Sequence, residues 1–199
     1  GAASVSIGAA SEDVGTGSVA IGGDVAGMSP TSQTGAQAQG DYSTVIGSNS
    51  TAAGTNDVIA GVNNLTGTGG NNSVVGNGID ILGGSNNTVL GVGHQVLGSN
   101  NFVAGDPNVV FWSGNAVTGN NNFVLGGDNQ VGGHQNAIVL GADNQISGND
   151  NLVALGVGNQ VGGNGNAVIL GADNQVSGNN NGIFLGANNQ VTGNGNGVA

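Results

Sequence analysis

Between Gly141 and Leu155 the chain reads G-A-D-N-Q-I-S-G-N-D-N-L-V-A-L, and its apolar positions fall into two short groups. Asp143-Asn144-Gln145-Ile146 carries one apolar residue among polar ones, the pattern of a half-buried strand. Ser147-Gly148-Asn149-Asp150 is turn chemistry, because Gly and Asn take positive φ at low cost. Leu152-Val153-Ala154-Leu155 is apolar on both alternating faces, and Gly156 turns the chain onward. Segments this short, separated by Gly, cannot be helices, and their β-branched content fits strands.

The same sentence recurs with anchors at Gly126, Gly141, Gly156, Gly171 and Gly186, always 15 residues apart. Looser copies are anchored at Gly8, Gly22, Gly47, Gly61, Gly76, Gly91 and Gly105, mostly 14 or 15 apart. A fixed period of this size means one small unit stacked many times. The expected fold is therefore all-β, a parallel β-solenoid or β-roll with 14–15-residue coils, forming a single domain over residues 1–199. Function is to be sought on its repetitive surface.

Two short strands per coil enclose little volume. Ile146, Val153 and Leu155 are expected inside. Leu152 and Ala154 point the other way, as do Val139, Ile169 and Phe184 in the neighbouring copies. An apolar stripe of that kind marks an interface. These residues predict an obligate oligomer packed along its second strands. The register also stacks Asn129, Asn144, Asn159, Asn174 and Asn189 in one column and Gln130, Gln145, Gln160, Gln175 and Gln190 in the next. A third column is Asn136, Asn151, Asn166, Asn181 and Asn196. Identical amides about 4.8 Å apart can bond to the copies above and below, so these columns are expected to be structural, with a receptor-binding role for the outward Gln column as the alternative.

Composition narrows the function. The chain has no Lys, Arg or Cys and a net charge of −11. Nucleic-acid binding depends on cations and is excluded as an expectation, and an anionic membrane surface is disfavoured likewise. Stability must come from ladders and stacking rather than from disulfides or salt bridges. No apolar run approaches the length of a transmembrane helix. The chain starts without Met and stops within a repeat, at Gly197-Val198-Ala199, which reads as an excised part of a longer protein.

The N-terminal copies contain Ser4-Val5-Ser6-Ile7-Gly8, Ser18-Val19-Ala20-Ile21-Gly22 and Ser43-Thr44-Val45-Ile46-Gly47. These motifs resemble the S-V-A-I-G head repeat of the trimeric autotransporter adhesins, typified by the Yersinia adhesin head. The match covers the first 60 or so residues; later copies keep the period and the Gly but lose the Ser. The resemblance implies a left-handed parallel β-roll, trimerised along its length and exposed on a bacterial surface for attachment. The family's neck, stalk and membrane anchor are not in this sequence, and its lack of cations weakens transfer of any specific ligand.

Individual chemistry is expected where the repeat breaks. One insertion, at about residues 23–40, contains Met28 and Pro30; the other, at about 106–112, contains Phe111 and Trp112. Pro cannot join a central ladder and Trp is a common binding hot spot, so these four residues are the candidate ligand contacts. His94 and His134 fall at different offsets, with no Cys to join them, so no zinc site or catalytic constellation is expected, and the chain reads as a non-enzyme. Asp128 and Asp143 share an offset in adjacent coils and are the candidate calcium ligands, but the column breaks at Gly158, so no required ion is expected. The leading expectation is an extracellular attachment rod whose partners are its own copies and a matrix or host-surface ligand. The alternative is a structural filament without a receptor. An ice-binding face would call for a regular Thr-rich rank, and this repeat is amide-rich instead.

Overall fold

The computed structural model describes residues 1–23, 35–105 and 115–198, apart from the side chains of Val139, Ala154, Ile169 and Phe184. No helix occurs among the described residues. The chain divides into two compact units, 1–99 and 100–199.

In each unit the coils contribute alternately to two parallel sheets. In 1–99 the first sheet stacks Val5–Ile7, Val19–Ile21, Thr44–Ile46, Val58–Val62, Ser73–Asn77 and Thr88–Val92. Its second sheet stacks Glu12–Asp13, Gln37–Ala38, Thr51–Ala52, Leu65–Thr66, Asp80–Gly83 and Gln95–Leu97. Residues 35–40 therefore belong to a coil, with Gln37 and Ala38 buried. In 100–199 the first sheet runs from Phe102–Gly105 through Phe123–Gly127, Ala137–Ala142, Leu152–Val157, Ala167–Ala172 and Gly182–Ala187 to Gly197–Val198. The second sheet of that unit runs from Ala116–Thr118 through Gln130–Gly132, Gln145–Ser147, Gln160–Gly162 and Gln175–Ser177 to Gln190–Thr192.

In 100–199 each coil is itself two copies of a half-coil, Asn-x-(Val/Ile)-x-Gly. Asn144-Gln145-Ile146-Ser147-Gly148 supplies one wall, and Asn151 to Gly156 supplies the other. The middle Val or Ile enters the core: Ile146 and Val153 are buried, as are Val161 and Val168 one coil on. Gly closes the half-coil because the next coil lies against it and, in the short form, because the chain takes positive φ there. Gly126 has φ +117°, and a Cβ on it would run into the carbonyl oxygen of Gly141.

The Asn of each half-coil turns inward and ties three coils together. Asn159 donates its backbone N–H and its Nδ2 to Asn144 Oδ1, both at 3.0 Å, and Nδ2 also donates to Gly171 O at 3.0 Å. Asn159 Oδ1 then accepts from Asn174 in the same way. Every donor and acceptor of the buried amide is used, which is why a polar side chain is tolerated at 0 % exposure. The opposite corner repeats the arrangement through Asn136, Asn151, Asn166 and Asn181. Both Asn columns are structural, as their spacing predicts.

One expected core residue lies elsewhere. Leu155 is exposed, along with Leu140, Leu170 and Leu185. From Asn136 onward the first-sheet half-coil reads Asn-x-(Val/Ile)-x-x-Gly, one residue longer than its partner. The extra residue makes the pairing slip between Val124 and Gly126 where the long form begins. Strict alternation fails after such a bulge, and the Leu that alternation sends inward faces out.

Candidate functional site

Among the described residues the roll offers its two outer faces as interaction surfaces. On the first-sheet face apolar side chains dominate in both units. In 1–99, Ile46, Val58, Val75, Leu90 and Val92 are exposed there. In 100–199, Phe102 stacks on Phe123 with ring centroids 5.1 Å apart and planes inclined by 13°. Leu152, Leu155, Val157, Leu170 and Leu185 are also exposed on this sheet. Leu152 thus occupies the outward position expected of it. The side chains of Val139, Ala154, Ile169 and Phe184 lie outside the described residues, so the rest of the predicted stripe is represented by their neighbours.

The second-sheet faces differ between the units. In 1–99 the outward positions mix Thr51, Asp80 and Gln95 with exposed Leu65, Leu82 and Leu97. In 100–199 the face is uncharged and, from Gln130 onward, carries a Gln at the same outward position in every coil. Glutamines in register from Gln130 to Gln190 line a shallow groove of about 660 Å³. Beside them runs a column of small residues, Gly132, Ser147, Gly162, Ser177 and Thr192. The core residues beneath keep a trace of exposure, 2–3 % for Val131, Ile146, Val161 and Val176, against 0 % for Ile138, Val153 and Val168 on the other wall. The Gln amides are only loosely joined: Gln175 Nε2 donates to Gln160 Oε1 at 3.5 Å, and Gln190 Nε2 to Gln175 Oε1 at 3.4 Å. They therefore keep hydrogen-bonding capacity for a partner, unlike the saturated Asn ladders.

Met28, Pro30, Phe111 and Trp112, the ligand contacts expected from the insertions, all lie outside the described residues. Asp128 and Asp143 occupy equivalent corners, with φ +54° and +55°, a conformation short polar side chains tolerate. No group of three or more His, Cys, Asp or Glu that could hold a metal occurs among the described residues. His94 is buried in an Asn-ladder position, and its Nε2 is 3.1 Å from Leu90 O. His134 sits in an exposed turn, where its Nδ1 accepts from the Asn120 N–H.

The Gln column was visible in the sequence, but the groove beside it was missed. Its signal was present: the residue two after each Gln alternates Gly, Ser, Gly, Ser before ending in Thr.

Residues 45–141 match the family model of the grass antifreeze beta roll. The matched segment is just under half of the chain and includes coils from both units. No curated protein matches the chain. Fold and match agree at one level. The chain is a β-roll repeat protein.

Proposed function

We propose that this β-roll is the attachment rod of an extracellular, bacterial surface fibre, built in the manner of an adhesin head. It associates with its own copies through the apolar first-sheet face and offers the polar second-sheet face of residues 100–199 to a matrix or host-surface ligand. The observation that carries this reading is the asymmetry of the roll. One outer wall presents Phe123, Leu152, Leu155, Leu170 and Leu185 to solvent, while the other presents an uncharged amide array. A monomer that leaves so much apolar surface open in a continuous patch is unusual, and a homotrimer, as the resemblance in residues 4–47 implies, would cover it.

The test exploits the fact that Leu155 and Leu170 are exposed in the single chain, so changing them leaves the roll's own core intact. Sedimentation of the parent protein is expected to give a stable trimer, and the Leu155→Asp, Leu170→Asp double variant is expected to give folded monomers. Immobilised cells and matrix proteins should retain the parent and release the double variant. A parent that sediments as a well-folded monomer would overturn the reading, and long fibres that bind no surface would favour the structural filament.

The match of residues 45–141 to the grass antifreeze beta roll supports a second reading, adsorption to ice through a flat repeated face. Against it, outward residues of the first sheet in that segment vary from Ser73 and Thr88 to Val58 and Phe102, so no single-residue rank forms. Inhibition of ice recrystallisation by the parent chain, abolished by Val75→Asp, would establish this reading over the first.

A further inference from the structure

The second-sheet face of residues 100–199 contains two glycines that the backbone does not require. Neither Gly132 nor Gly162 has positive φ. A Cβ on Gly132 would meet nothing closer than Ile146 O at 3.8 Å, and one on Gly162 would lie 3.6 Å from Ser147 Oγ. Both are ordinary contacts. The glycines of the corners, by contrast, abut the next coil's backbone. A glycine within a strand weakens it and often marks a close approach by something else. Here the missing side chains deepen the groove beside the Gln column.

The chemistry of the groove is specific about charge. No lining residue is ionisable, although the chain carries 11 carboxylates. Its walls offer primary amides from the Gln column and hydroxyls from Ser147, Ser177 and Thr192. Its floor shows a sliver of Val131, Ile146, Val161 and Val176. Amides and hydroxyls above an apolar strip complement a neutral ligand with hydroxyls on its edges and C–H groups on its faces. Repetition of the same amide in five successive coils calls for a polymer rather than a small molecule.

Spacing narrows the polymer further. Gly132 and Gly162 are two coils apart, or about 10 Å at the usual inter-strand distance. A fully extended β-1,4-linked glycan repeats every disaccharide over a similar length, with alternate sugars flipped. The groove has the same twofold alternation, open at Gly132 and Gly162 and narrowed at Ser147 and Ser177. We propose that this groove binds a neutral β-1,4-linked polysaccharide lying along the coil stack, its hydroxyls bonded to the Gln amides and alternate sugars seated over Gly132 and Gly162. The proposal rests on the reading of this face as the ligand-facing side of the rod. Each coil contributes a weak contact, and affinity grows with the number of coils engaged.

Cellohexaose and chitohexaose are the probes, with the α-linked maltohexaose as control, titrated into the intact chain and followed by calorimetry and by amide shifts of the Gln side chains. Binding of one or both β-linked hexaoses with little response to maltohexaose is expected. Gly132→Leu with Gly162→Leu should abolish binding while leaving the dichroism spectrum and melting temperature close to those of the parent. Gln160→Ala should weaken binding roughly threefold to tenfold, the effect of losing one neutral hydrogen bond in each direction. It keeps the test decisive if the leucine variant is unstable. Failure of the parent to bind either β-linked probe, or unaltered binding by a folded leucine variant, would overturn the proposal. Attachment to cells or matrix without glycan binding would sink the glycan assignment and leave the rod reading standing. Glycan binding without such attachment would do the reverse.

Discussion

At Asp57 the ladder has a carboxylate where the neighbouring coils place Ser43, Asn72 and Asn87. Its Oδ1 accepts the Asn72 N–H at 2.8 Å, as an Asn would. Its Oδ2 stands where Asn72 has the Nδ2 that donates to Gly84 O, and a carboxylate has no proton to give. Asp57 Oδ2 and Thr66 Oγ1 are both buried and approach one another without a well-formed hydrogen bond. Burial pushes the Asp57 carboxyl above its ordinary value, against the smaller opposing effects of the Thr66 hydroxyl, then of Asn72 and the Gly54 backbone. A carboxyl whose folded pKa is raised binds its proton more tightly in the folded chain than in the unfolded one. Its contribution to stability is full below the unfolded value, near 4, and is lost as pH rises through the raised folded value. Asp57→Asn should supply the missing donor and remove that loss. The variant is expected to be more stable than the parent by about 1–2 kcal/mol at neutral pH, with the gap closing as pH falls through the raised folded value toward the unfolded value near 4. Denaturant melts at neutral and acid pH measure it, and a gap that widens in acid would refute the account of Oδ2.

At the scale of the half-coil, two adjacent residues of one repeat have opposite importance. Asn159 is fully buried and saturated, whereas Gln160 is exposed. Asn159→Ala strands Gly171 O, removes one of the two donors to Asn144 Oδ1 and takes away the acceptor shared by the Asn174 backbone N–H and Nδ2. A loss of about 2–4 kcal/mol is expected, since buried groups left unpaired cost about 1–3 kcal/mol each and some relax toward one another. Gln160→Ala should cost less than about 0.5 kcal/mol, as for other surface changes. Equal losses, measured by equilibrium unfolding, would mean that the Gln column also holds the coils together. The sequence made both columns legible, because a 15-residue period places identical amides in one register whatever the details of the coil. What period alone does not reveal is that the Asn columns turn inward while the Gln column stays outward and only loosely joined. The inward turn of Asn159 and the outward turn of Gln160 depend on the half-coil Asn-x-(Val/Ile)-x-Gly, which puts Val161 in the core. The misplacement of Leu155 has a similar origin. Alternation predicts its direction only while both walls have the same length, and the first-sheet wall is one residue longer.

For the whole molecule the dominant electrostatic fact is that nothing opposes its acids. The chain carries 11 carboxylates and no Lys or Arg, so a homotrimer would bring together three times 11, or 33, negative charges. The regular coils keep those charges off the apolar first-sheet face. Asp128, Asp143 and Asp173 sit at corners with positive φ, outside the strands whose Leu and Val side chains form that face. In the proposed trimer, association would be driven by apolar burial and resisted by a diffuse repulsion among corners. Like charges destabilise a compact assembly through such repulsion, and salt shortens its reach to about 10 Å at 0.1 M. Apolar burial is not weakened by this screening. Stability of the oligomer should therefore rise between low salt and about 0.1 M, with the melting temperature and the sedimenting oligomer fraction increasing together. The monomeric Leu155→Asp, Leu170→Asp variant should respond less, because its charges are never brought together from three chains. A melting temperature that falls with added salt would mean that attractive charge contacts hold the assembly. In a chain without cations these could come only from His94, His134 or the amino terminus. That outcome would remove the apolar face as the driving force.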